Sequence, residues 1–134
     1  MATKIADFLS WVRDRGRTSD LGRRGENVAA RELERLGYEI VERRWRSKLG
    51  EIDIVARDGE TLVVVEVKAR SREDYGPPAD AVDAVKRRKL VRLAKAYLQA
   101  RRLGEPQVRF DVVGVRFPSG EDPRVEVLRN AFGE

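Results

Sequence analysis

Two apolar runs separated by a short polar break dominate the pattern of the chain. Ile52-Asp53-Ile54-Val55-Ala56 comes first, and Leu62-Val63-Val64-Val65-Glu66-Val67 follows after Asp58-Gly59. Both runs are rich in Val and Ile and bounded by turn residues, so both predict strands. Asp58-Gly59 predicts a two-residue hairpin, because both positions of such a turn need positive φ. With Arg57 opposite Glu60, Asp53 falls opposite Val64 and Glu51 opposite Glu66. Opposed residues share a face and side chains alternate with period two. Asp53, Glu66, Lys68 and Glu51 are therefore expected on one face, together with Leu62 and Val64. Val63, Val65 and Val67 fill the other. A strand apolar on both faces is usually covered on both sides.

The same patterning predicts the other elements. Ile5, Phe8, Leu9 and Val12 follow helical spacing, giving a short amphipathic helix ending near Gly16, with a polar stretch after it. Ser19 or Asp20 caps a second helix through Leu36, with Gly37 as its stop. Its stripe is Leu21, Val28, Ala29, Leu33 and Leu36, with Glu26 at the edge. Tyr38 to Arg46 predicts a strand, and Ser71 to Pro78 a loop containing Gly76-Pro77-Pro78. A long helix from about Ala79 to Arg102 turns Leu90, Leu93, Ala94 and Tyr97 inward and ends at Gly104. Val108 to Phe117 predicts a further strand and Val125 to Leu128 an edge strand. At 134 residues, 41% hydrophobic and without repeats, the chain predicts one domain: a helix and linker over residues 1–20, and the body over 21–134.

Composition narrows the chemistry. The chain has no cysteine and no histidine, which removes disulfides, Cys/His zinc sites, cysteine nucleophiles and histidine-based triads. Carboxylates, lysine and an oxygen-liganded metal remain. The lack of cysteine fits a cytoplasmic protein. Charged residues make up 38%, the net charge is +5, and most of the 28 basic residues are arginine, which grips phosphate in a bidentate way. A polyanionic partner follows as an expectation, as does the absence of a membrane span or signal peptide.

Charge inside an apolar strand is costly unless paired or functional. A cross-strand salt bridge on a solvated face is one reading of Asp53, Glu66 and Lys68. The apolar residues on both faces favour the other, a site, since buried charges cluster at sites. Diagonal strand neighbours lie roughly 7–8 Å apart, which lets the Asp53 and Glu66 carboxylates converge on one ion.

After the N-terminal helix the element order is helix, three strands, helix, strand. That order and the Asp53…Glu66-Val67-Lys68 spacing resemble the restriction-endonuclease-like superfamily, the PD-(D/E)xK nucleases. More closely, the chain resembles the YraN family of bacterial proteins, distantly similar to archaeal Holliday junction resolvases. Gly22-Arg23-Arg24-Gly25-Glu26, Gly37-Tyr38, Gly50-Glu51-Ile52-Asp53, Val65-Glu66-Val67-Lys68-Ala69-Arg70, Tyr75-Gly76, Lys86-Arg87-Arg88 and Arg109-Phe110-Asp111-Val112 carry the resemblance. The proline common before the first metal acid is replaced by Ile52, and the N-terminal helix lies outside the shared region.

The resemblance implies an α/β fold with a mixed central sheet flanked by helices. It also implies a metal-dependent endonuclease acting on DNA, branched or junction DNA included. Asp53 and Glu66 would bind Mg²⁺ (or Mn²⁺), which prefers hard oxygen ligands. Lys68 would orient the attacking water or neutralise the developing oxyanion. Glu26 matches the acid that related nucleases supply from the preceding helix, as a metal ligand or a brace; an ordinary first-turn glutamate favoured by the helix dipole is the alternative. Glu51 faces the same site or pairs with Arg46 or Arg70. Arg23 and Arg24 would grip phosphate near a helix N-terminus, and Lys86, Arg87 and Arg88 would track the backbone, unless this run is a solvated helix face. Lys86 and Lys89 share a side with Val82 and Leu93, so at least one of them is expected to point toward the site. Arg109 and Asp111 read as a structural ion pair. A two-fold dimer would suit paired incisions across a junction.

Two other classes compete. One is a nucleic-acid-binding module without catalysis, either an inactive nuclease fold or a KH-like domain using Gly22-Arg23-Arg24-Gly25 as its backbone clamp. The other is an adaptor whose basic faces meet an acidic protein.

Overall fold

A computed structural model describes residues 20–71, 83–119 and 122–132. The helix expected around Ile5 to Val12, the Ser19 cap, the Gly76-Pro77-Pro78 loop and residues 79–82 lie outside the described residues. The long helix, expected from about Ala79, opens at Ala84, because Asp83 before it is extended and caps it. In chain order the elements are α1 (Asp20–Arg35), β1 (Glu39–Ser47), β2 (Gly50–Asp58), β3 (Thr61–Ser71), α2 (Ala84–Arg101), β4 (Val108–Phe117) and β5 (Arg124–Phe132). The five strands form one sheet in the order β1-β2-β3-β4-β5. β3 and β4 run parallel while the other neighbours are antiparallel, so the sheet is mixed. Parallel neighbours need a long crossover, and α2 lies within it. The result is the α/β architecture expected of a restriction-endonuclease-like core.

One apolar layer packs α1 against the sheet, through Ala29, Leu33, Ile54, Ala56, Val63, Val65, Val67, Val113 and Val115. The other packs α2, through Leu90, Leu93, Ala94 and Tyr97 against Ile52, Val55, Leu62, Val64 and Val112. β3 is buried on both faces, as its continuous valine run predicts. α1 ends at Arg35, one residue before the predicted limit. Leu36, expected in the apolar stripe, is exposed, and Gly37 takes φ +97 as the chain turns into β1. Asp83 caps α2 by accepting the Lys86 N–H, and Arg102 closes the helix in the left-handed region at φ 55. The edge strand over Val125 to Leu128 is real but longer, reaching Phe132.

The hairpin register differs from the expected one. Asp58 pairs with Thr61 and Ile54 with Val65, so Gly59 and Glu60 occupy the turn rather than Asp58 and Gly59. Gly59 takes φ +63, whereas Asp58 keeps an ordinary backbone and extends the ladder. Glycine at the first central position is the other favoured hairpin chemistry. Val64 therefore faces Val55, not Asp53, and the ladder stops at Ile54–Val65, one residue short of Asp53 and Glu66. The slip is by two residues, so it preserves which faces are opposed.

Candidate metal and nucleic-acid site

Alternation along β2 breaks at Asp53. Ile52 packs into the α2-side layer and Ile54 into the α1-side layer, although two residues apart should share a face. β1 breaks at the matching point, where Arg44 takes φ +56 between Arg43, paired with Ile54, and Trp45, paired with Ile52. Past the end of the β2–β3 ladder, the Asp53 carboxylate reaches sideways and its Oδ2 accepts the Val67 N–H at 2.7 Å. A side chain thus replaces the ladder where the two strands part. The single face expected for Asp53, Glu66 and Lys68 is corrected accordingly, because strict period-two alternation does not hold on β2.

Three acids meet at this notch. Glu26 from α1 and Glu51 and Asp53 from β2 present carboxylate oxygens that all lie within 4.8 Å of one another. Glu26 and Asp53 are buried and Glu51 is partly so. α1 can bring Glu26 this close because Gly25 has no side chain: a Cβ there would sit 2.6 Å from the Ala69 Cβ on β3. Glu26 lies in the body of α1 and is buried, so the first-turn alternative does not describe it.

Arginines of β1 line the cluster. Arg44 Nε pairs with Glu26 Oε2, Arg43 Nη2 is 4.0 Å from the same oxygen, and Arg46 Nε is 2.8 Å from Glu51 Oε2. The Glu51–Arg46 pair matches one of the partners expected for Glu51.

Glu66 leaves β3 on the α2 side, in step with Leu62 and Val64. Its Oε1 lies 3.3 Å from Lys86 Nζ, with both side chains almost fully buried. The peptide joining Glu66 to Val67 is the one that hydrogen-bonds Asp53, but the Glu66 carboxylate is not one of the three that converge. Lys68 follows at the same end of β3, half-buried. Asp53 Oδ1 and Glu66 Oε2 are buried oxygens that receive no hydrogen bond. Lys86 points into the protein at Glu66, as expected of at least one of Lys86 and Lys89, and so does not sit on an exposed phosphate-tracking face, whereas Arg87 and Arg88 are exposed.

Arg23 and Arg24 are exposed on the first turns of α1, and the Arg24 guanidinium lies 4.5 Å from the centre of the Phe117 ring. Gly22 to Gly25 is helical, part of α1 itself. A KH clamp needs those residues in a loop between two helices, so that alternative is set aside.

Arg109 and Asp111 form a lock away from the acids. Arg109 donates to Asp111 and Asp58, each at 2.9 Å, and to the Tyr38 hydroxyl at 2.8 Å. Tyr38 donates to Asp111 Oδ2 at 2.8 Å, and the Asn130 N–H donates to Asp111 Oδ1 at 2.9 Å. Burial, reinforced by the bond to Asp111, pushes the Tyr38 hydroxyl up to about 12. Its bond to Asp111 holds the Arg109 guanidinium firmly charged. The network joins the end of β2, the start of β4 and the last residues of β5 to Tyr38 just before β1, and the ion-pair reading of Arg109 and Asp111 suffices.

Sequence reasoning placed Glu51 at this site or in a pair with Arg46, and the structure shows both. It missed Arg43 and Arg44, whose contacts with Glu26 depend on the positive φ of Arg44 and carry no sequence signal.

No helix among the described residues is long and apolar enough to cross a membrane. Comparison with known proteins places the chain. A UPF0102 protein of Geobacter sulfurreducens is 47% identical over 112 residues, covering 84% of this chain and 88% of the relative. One from Clavibacter michiganensis is 49% identical over 115 residues, covering 86% and 98%. One from Paenarthrobacter aurescens is 50% identical over 109 residues, covering 81% and 90%. The profile described as "Uncharacterised protein family UPF0102" matches residues 25–115, the span from Gly25 at the helix contact to the end of the β4 core. The chain belongs to that family, known also as YraN.

Proposed function

We propose that this protein is a metal-dependent endonuclease that hydrolyses phosphodiester bonds in DNA. The observation that carries the reading is the convergence of Glu26, Glu51 and Asp53 within 4.8 Å, at the notch where β2 leaves β3. Like charges brought together and buried are unfavourable without a cation. An all-oxygen donor set suits Mg²⁺ or Mn²⁺. Asp53, Glu66 and Glu26 are the proposed ligands, with Glu51 joining them. A bound Mg²⁺ supplies an acidified water and stabilises negative charge on the scissile phosphate.

The chain's own residues do the rest. The Val67 N–H holds the Asp53 carboxylate in place, so its charge is preorganised rather than recruited. Lys68, an ammonium with three donors and no acceptor, orients the water or meets the oxyanion. Arg23, Arg24, Arg87 and Arg88 are exposed cations that hold the phosphate backbone, and the net charge of +5 draws it in. A second reading is an inactive nuclease-fold DNA-binding module, favoured by the ion pairs that already balance Glu26, Glu51 and Glu66.

The test is a panel of labelled linear, flapped, single-stranded and four-way-junction DNAs incubated with Mg²⁺ or Mn²⁺. Cleavage of at least one form, absent in EDTA, is expected. Binding to the panel without cleavage in either metal would favour the inactive module.

A further inference from the structure

The acid cluster is held by cations of the protein's own edge strand. Arg44 pairs with Glu26, Arg43 approaches it, and Arg46 pairs with Glu51. The acids are the more buried partners, at 8% exposure for Glu26 and 19% for Glu51, while the arginine side chains are 36%, 30% and 64% exposed for Arg43, Arg44 and Arg46. They can therefore swing to solvent without disturbing the core, whereas Glu26 cannot. Arg44 makes its pair from φ +56, a region sparsely populated by residues other than glycine, and such a conformation persists only where its surroundings enforce it. β1 is also an edge of the sheet, so these arginines are open to a large partner. A guanidinium offers phosphate the same bidentate geometry it offers a carboxylate.

We propose that Arg43, Arg44 and Arg46 exchange between the acid cluster and nucleic-acid phosphate. Leaving Glu26 and Glu51 for phosphate opens those carboxylates to the divalent cation, so the two ligands bind with positive coupling. This rests on the nuclease reading above and adds a phosphate-binding surface on β1. Without nucleic acid the arginines occupy the acids and weaken metal binding. With it, each ligand frees the groups the other needs, and linkage makes the effect reciprocal.

The test measures two affinities in the absence of the other ligand. Mn²⁺ binding to the free protein is measured calorimetrically for the wild type, Arg44→Met and Arg46→Met. Arg57→Met, an exposed arginine on β2, controls for the same change of net charge. Oligonucleotide binding in EDTA is measured for the wild type and Glu26→Gln, with the exposed Glu60→Gln as control. The expected result is Mn²⁺ binding at least about fivefold tighter in Arg44→Met, the low end of ordinary coupling, and unchanged in Arg57→Met. Glu26→Gln should bind oligonucleotide more tightly than Glu60→Gln. Arg46→Met, altered at a mostly exposed side chain, gives the same Mn²⁺ readout if Arg44→Met does not fold. Wild-type Mn²⁺ binding that neither arginine variant tightens would overturn the exchange and leave the metal site standing. No Mn²⁺ binding by any variant would overturn both.

Discussion

At the scale of single residues, Asp53 and Glu66 owe their place to backbone geometry as much as to spacing. The Asp53…Glu66-Val67-Lys68 pattern shows which residues matter, because carboxylates in a valine-rich run have few other reasons to be there. It does not show how they are presented. Asp53 stands at a break in alternation that hydropathy cannot reveal, since Ile52 and Ile54 are equally apolar and simply face opposite layers. Lys68→Ala should lower the single-turnover cleavage rate by about 10²–10³, as expected for loss of one preorganised electrostatic stabiliser. Mn²⁺ affinity should be retained, since an ammonium is no ligand; a rate close to wild type would exclude Lys68 from the chemistry. Tyr38 gives a prediction about pH. Its hydroxyl ionises at about 12 in the fold against an ordinary 10.0, so the fold favours the protonated form. That contribution is complete below pH 10 and is lost as pH rises through 12. Absorbance of tyrosinate should show a late-titrating tyrosine that Tyr38→Phe removes. The fall in denaturant midpoint between pH 10 and 12 should be smaller in that variant.

At the scale of elements, the order helix, three strands, helix, strand was legible because each element has its own period. The valine run of β3 is continuous, and Leu90, Leu93, Ala94 and Tyr97 follow helical spacing. The hairpin turn was misplaced because Asp58-Gly59 and Gly59-Glu60 both put glycine in a two-residue turn. The choice falls to Asp58, whose carboxylate is engaged by Arg109 from β4, a long-range contact that no local motif reports. Lys86 was legible in part. It shares a helix side with Lys89, Val82 and Leu93, which turns at least one of the two lysines inward, but its partner Glu66 shows only in the folded chain, where Asp83 caps the turn that carries it. The contact of α1 with β3 supplies a test of how firmly the elements hold the site. Gly25→Ala should place its Cβ against Ala69 and destabilise the fold by about 1–3 kcal/mol, the usual cost of overpacking. Denaturant unfolding measures this, and Ala69→Gly in the same chain should restore most of the loss. If Gly25→Ala is as stable as the wild type, the close approach that brings in Glu26 is not as described.

At the scale of the whole molecule, a mixed sheet covered by α1 and α2 carries the acids at one notch and exposed arginines on α1, β1 and α2. DNA held through phosphates should bind with an affinity that falls steeply as salt rises. Removing charge at Arg87 and Arg88 together should weaken binding about equally for all sequences and flatten the salt dependence; sequence-specific losses would contradict a backbone-tracking role. In the proposed function, Asp53 anchors a catalytic metal site. Single-turnover cleavage by the wild type and by Asp53→Asn tests it most directly, on one DNA form, in Mg²⁺, with binding of both proteins checked in EDTA. Asn keeps the shape and can still accept the Val67 N–H, but it loses the charge that a divalent cation needs. Cleavage is expected from the wild type, none measurable from Asp53→Asn, and DNA binding by the variant at least as tight as wild type. Cleavage by Asp53→Asn at the wild-type rate would contradict that role for Asp53.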